Sequence, residues 1–242
     1  MMIVSVRNLR DNMGVDEKIA RFFVDRKVPA GNAFWNKRLL YINRGNGYVS
    51  IPVYYDILFR MGIPQNVLLA EEHIQFMEQV MHYAIQHEMG EISFQTQIES
   101  IQNLLIGRLK NSDFYGELLL YLAQKELKPL GKLGMEVPAL NRADVFLFIL
   151  CDLPLAEPQN QLAVTYWSAL HSTYLLMDDI NDYQFDKQNS DENAIMELGD
   201  DKDGFSKAFS ILNTNITVLE EINTSIAQWF KKSLDNLTKL VP

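Results

Sequence analysis

Cysteine is nearly absent: Cys151 is the single one in 242 residues. Neither an intrachain disulfide nor a cysteine-based zinc site can be built from it. Its neighbours, Phe146-Leu-Phe-Ile-Leu-Cys151, are apolar, so the thiol reads as a small buried hydrophobe rather than a nucleophile. A reducing, cytoplasmic setting is the expectation. Positive charge is also scarce. The 22 Lys and Arg face 31 Asp and Glu, for a net charge of −9 and a pI near 5.0. Binding to a phosphate backbone needs a basic footprint, so nucleic acid is not expected as a partner. An anionic membrane surface is disfavoured for the same reason. No apolar run approaches the ~18 residues of a membrane span, and Met1-Met-Ile-Val-Ser-Val-Arg7 lacks the apolar core of a secretory leader. A GxGxxG or Walker loop and a serine nucleophile elbow are missing too.

What is present is ordinary in amount and helical in pattern. Hydrophobic residues make up 48% and charged residues 22%, the range of a soluble globular chain with room for a real core. Residues 16–26 read as a short amphipathic helix stopped by Pro29-Ala-Gly31. A turn-rich Asn43–Gly47 follows Lys37-Arg38. Pro52 suits the first turn of a helix that runs to Gly62, and Pro64 starts another that runs to about Glu88. Further helical patterns cover 93–110, 113–128, 141–153, 160–186, 205–222 and 222–240. The polar stretch 187–203 reads as a loop with one helical turn at 193–198. With no convincing strand, repeat or linker, the expectation is all-α: a single-domain bundle of antiparallel neighbours.

One stretch organises the chain. His171-Ser-Thr-Tyr-Leu-Leu-Met177 ends abruptly in Asp178-Asp179-Ile-Asn-Asp182-Tyr-Gln-Phe-Asp186. On a helix, Asp178, Asp182 and Asp186 lie one turn above the next on one face. Like charges at that spacing destabilise a bare helix. Hard oxygen donors so placed suit Mg²⁺, which keeps its remaining sites for water and phosphate. An acidic helix end in a chain this negative reads equally as a solvated face. His171 lies on the face of Asp178, about two turns deeper. Phe146, Trp167, His171 and Tyr174 suit either a cavity lining or plain core.

Other constellations are weaker. Glu71, Glu72, His73, Glu78, His82, His87, Glu88 and Glu91 enrich 71–91. A di-metal bundle wants Glu-x-x-His at i,i+3 on two helices; Glu78 and His82 are i,i+4 and read as a surface pair. Residues 186–197 have the length of an EF-hand loop, but Asp191 stands where glycine is needed.

Asp178-Asp-Ile-Asn-Asp182 resembles the second aspartate-rich motif, DDxxD, of the trans-isoprenyl diphosphate synthases, in the class I isoprenoid synthase superfamily that includes terpene synthases. The resemblance covers roughly 140–242: the helices before the motif, the acidic loop after it and the closing helix pair. It implies an all-α bundle around a central apolar cavity. It implies Mg²⁺ at Asp178, Asp179 and Asp182, with Asp186 as an addition, and ionisation of an allylic prenyl diphosphate. Metal ions would stabilise the departing diphosphate, and a dry aromatic cavity would shelter the carbocation. Phe146, His171 and Tyr174 would line that cavity. A first DDxxD is missing, so Glu88 and Glu91 would stand in as the opposite metal edge. Arg142 replaces the family's lysine and would contact diphosphate with Lys187; Lys37-Arg38 would be the remaining basic pair. The resemblance thus implies a prenyltransferase or terpene-synthase-like enzyme, or, with the first motif gone, an inactive relative serving as a binding module or partner subunit. A homodimer or a heteromeric synthase pair is the implied assembly.

Overall fold

The computed structural model of the protein describes residues 5–27, 29–32 and 47–237. Local signals place several helix ends. Ser5 Oγ accepts from Asn8 N at 3.1 Å to open α1 (Val6–Met13), and Gly14, at φ +67°, closes it. A side chain on Gly14 would come within 2.7 Å of Ser225, so only glycine lets this turn abut the last helix. Asp16 caps α2 (Glu17–Asp25) by accepting from Lys18 N and Ile19 N. Ser93 caps the helix Phe94–Leu105 in the same way through Thr96 N.

The remaining helices are α3 (Gly47–Arg60), α4 (Gln65–Leu68), α5 (Glu71–Glu88), α6 (Phe94–Leu105) and α7 (Ser112–Leu122). After two 3-10 segments, Pro138–Asn141 and Asp144–Asp152, come α8 (Glu157–Asn189), α9 (Ala194–Glu197), α10 (Asp201–Ile222) and α11 (Thr224–Leu237). Among the described residues there is no strand, only an isolated bridge between Leu130 and Leu133, and no helix long and apolar enough to cross a membrane.

The long α8 packs against α3, α10, α11 and α9, while the 3-10 helix 144–152 packs against α5, α6 and α7. Buried apolar residues from Leu9 to Leu237 form one cluster. Helix α3 is apolar on nearly every side (Ile51, Val53, Tyr54, Tyr55, Ile57, Leu58) and all six are buried, as expected of a helix enclosed by others. The Tyr54 hydroxyl donates to Ala163 O at 3.0 Å, joining α3 to α8.

Three expectations change. Pro52 does not open a helix; it sits inside α3, which begins at Gly47, and costs that helix one backbone hydrogen bond. The helix expected from Pro64 to Glu88 is broken at Leu69-Ala70 into α4 and α5. The segment 141–153 is buried as expected, but it winds as a 3-10 helix over Asp144–Asp152. An all-apolar run carries no periodicity to tell the two windings apart.

Candidate functional site

Helix α8 spans 33 residues, about 50 Å at 1.5 Å per residue. One side of it is buried from Asn160 to Tyr183, and the acids begin directly after Leu176 and Met177. They do not share one environment. Asp178 and Asp182 are exposed and Asp186 is half-buried, whereas Asp179 is buried.

Asp179 is fully engaged inside the fold. Its Oδ1 accepts from Arg142 Nη2 at 2.8 Å, and its Oδ2 accepts from Arg142 Nη1 at 3.4 Å and from Ala194 N at 2.9 Å. Asn193 completes the joint. Its Nδ2 donates to Asp179 O and to Asp186 Oδ2, both at 2.8 Å, and its Oδ1 caps α9 at Ile195 N. The resemblance implies Asp179 among the metal ligands and Arg142 on diphosphate; here the two pair with each other. Lys187 is likewise occupied. Its ammonium reaches Asp200 Oδ2 at 2.6 Å, the Tyr183 hydroxyl at 2.9 Å and Asp201 Oδ1 at 3.2 Å. Lys187 in turn holds the Asp200 carboxyl at about 2.

Asp178 differs. Burial pushes its carboxyl up to about 6, and the like charges of Asp182 and Asp179 push the same way against Arg142. Solvent reaches the residue, so this is a partly shielded acid crowded by its own row. Glu88 and Glu91 belong to a different helix end. Both are exposed at the end of α5, where Glu91 accepts at 3.5 Å from Gln86.

Below the acids the interior is aromatic. Phe146 stacks on Trp167 at 4.8 Å, and Trp167 stacks on His171 at 4.6 Å with the rings 6° apart. Tyr174 meets Phe230 at 5.0 Å. The three side chains expected to line a cavity thus pack against other rings. Both ring nitrogens of His171 and the Tyr174 hydroxyl are buried without a hydrogen-bond partner. Burial lowers the His171 imidazole to about 3, aided by the Arg142 charge, and raises the Tyr174 phenol. Both groups are neutral.

Among the described residues, no three His, Cys, Asp or Glu side chains gather as a metal cluster. The available donor set is the Asp178–Asp182 row. Mg²⁺ needs only one or two protein carboxylates, with water or phosphate completing its shell, whereas a two-sided cluster needs acids gathered from a second element. Lys37 and Arg38 lie outside the described residues.

Two polar networks are invisible in the helical pattern. His73 Nδ1 donates to Asp152 Oδ2 at 3.2 Å, and its Nε2 accepts from the Tyr55 hydroxyl at 3.0 Å. Arg108 and Lys110 also reach Asp152. Burial pushes the Asp152 carboxyl up, but His73 and Arg108 outweigh it and hold it at about 2. At the other end of the same apolar run, Asp144 accepts from Tyr121 at 2.7 Å and Trp167 at 2.8 Å, and burial raises it to about 6. The signal was an acid at each end of Asp144–Asp152. Glu78 is no surface partner of His82: it is 1% exposed and bound by Arg26 at 2.5 Å. No protein-family model, curated protein or solved structure matches the chain.

Proposed function

We propose that this chain is an isoprenoid-synthase-like helical protein that binds a prenyl diphosphate through one Mg²⁺ at Asp178 and Asp182 and does not ionise it alone. It serves as a binding module or as the partner subunit of a catalytic chain. The Arg142–Asp179 bridge carries the reading. A diphosphate leaves readily only when cations surround it, and here Arg142 and Lys187 are neutralised by the chain's own carboxylates. Mg²⁺ would supply charge neutralisation of the bound diphosphate; Asp178 and Asp182 would hold it, and the row's mutual repulsion would fall when it arrives.

An active enzyme is the second reading. The shielded Asp178 carboxyl and the unpartnered His171 and Tyr174 deeper on α8 favour it. Calorimetric titration with farnesyl diphosphate, with and without Mg²⁺, tests the binding claim. Binding that ignores Mg²⁺, or that survives Asp178→Asn and Asp182→Asn unchanged, contradicts it. Affinity capture should also recover a catalytic synthase chain, which restores pyrophosphate release when added back.

A further inference from the structure

Helix α7 stands at the edge of the fold, and its main support is the 3-10 helix 144–152. Phe114, Leu118, Tyr121 and Leu122 are buried, and the Tyr121 hydroxyl donates to Asp144. The other side carries Asp113, Gly116, Glu117, Leu120 and Ala123, all exposed. Steps of three and four residues put these positions on one stripe. Leu120 is 68% exposed. A side chain added at Gly116 would meet nothing within 4 Å, so the backbone there is open to close approach.

Charge changes sign along this stripe. Asp113 and Glu117 lie toward its start. Lys125 and Lys128, both exposed, follow its end, and Gln124 Nε2 donates to Lys128 O at 3.0 Å, which keeps that turn beside the helix terminus. Among the described residues Asp113, Glu117 and Lys125 have no ion-pair partner, and Lys128 meets only the exposed Glu126 at 3.2 Å. Leu120 stands close to midway between Asp113 and Lys128, and between Glu117 and Lys125. Such a stripe is complementary to itself. With two copies of α7 antiparallel about a two-fold axis near Leu120, Asp113 and Glu117 of each copy face Lys128 and Lys125 of the other. The same polarity suits the dipole of α7, but the dipole gives no reason for a bare leucine at the midpoint.

We propose that the occupant of this face is a second copy of the chain, docked antiparallel along α7 with Leu120 meeting its copy at the two-fold axis. The charge pairs fix the orientation; exposed pairs add little energy of their own. Helix α7 has 11 residues, about 16 Å of length. That is the small end of specific contacts, so the dimer is weak and reversible, with a Kd of about 0.1 mM. It needs neither Mg²⁺ nor diphosphate and is independent of the Asp178–Asp182 edge. The test is analytical ultracentrifugation of the full chain in EDTA, from about 10 μM to about 1 mM. Wild type should pass from monomer to dimer across that range. Leu120→Asp should weaken association about tenfold or more. Asp113→Lys/Glu117→Lys alone and Lys125→Glu/Lys128→Glu alone should each stay monomeric, and an equal mixture of the two should dimerise. All five positions are exposed, so the variants keep the fold, which circular dichroism checks. Wild type that is monomeric throughout, a dimer that Leu120→Asp leaves intact, or a mixture that stays monomeric overturns the proposal.

Discussion

Asp178 and Asp179 are adjacent in the chain and opposite in role. One turns to solvent; the other is 3% exposed and paired with Arg142. Removing one partner of a buried pair leaves a charge uncompensated. Asp179→Asn should therefore lower unfolding stability by about 2–3 kcal/mol, below the full cost of a buried pair because Arg142 is partly exposed. Asp178→Asn relieves repulsion in the row and should leave stability unchanged or raised at neutral pH. Urea denaturation of both variants checks the contrast, and equal losses would contradict the assignment. His171 gives a pH test. It stays neutral in the fold down to about 3, against about 6.5 when unfolded. Above pH 6.5 both states are neutral and nothing is lost. Below it the unfolded chain takes up a proton the fold refuses, so stability falls by about 1.4 kcal/mol per pH unit. His73 is shifted the same way. Asp144 and Asp178, raised to about 6, oppose this: their stabilising share is full below about 3.8 and is lost as pH rises through about 6. Comparing wild type with His171→Phe isolates the single imidazole. The variant should gain on wild type steadily from pH 6.5 to 4.5, and parallel curves would contradict the buried neutral imidazole.

At the scale of elements, short segments are held by side chains rather than by their own length. Helix α9 has four residues, too few to stand alone. Asn193 and Asp179 fasten it to α8. Asn193→Ala should cost about 1–2 kcal/mol, the usual loss for a cap, and hydrogen exchange should speed up at 194–198 before anywhere else. Arg26 joins α2 to α5 through Glu71 and the buried Glu78. Arg26→Ala leaves Glu78 unpaired in the core and should cost about 3–5 kcal/mol; Arg26→Ala/Glu78→Gln should recover part of that loss in a double-mutant cycle. These joints explain what the sequence could not tell. Apolar spacing announced α2, α5 and α8 because burial sets that spacing directly. The partners of Asp179, Glu78 and Asp152 come from segments 14 to 79 residues away, and no local pattern records such distances. The winding of 144–152 was hidden for another reason: between its two terminal acids every face is apolar.

Over the whole molecule, the all-α arrangement was legible from period and punctuation, and the acidic row was legible as a row. Its division into an exposed pair and a buried bridge was not, because that division depends on where Arg142 lands. The proposed function rests on this bridge: a cation and a diphosphate would be held at the edge, and the chain alone would not release pyrophosphate. The most direct measurement follows both quantities in one sample of protein, Mg²⁺ and farnesyl diphosphate. Binding should depend on Mg²⁺ and weaken about tenfold in Asp178→Asn, a loss of about 1.4 kcal/mol, with pyrophosphate at the background of a protein-free control. Pyrophosphate release by the chain alone that disappears in Asp178→Asn would contradict it.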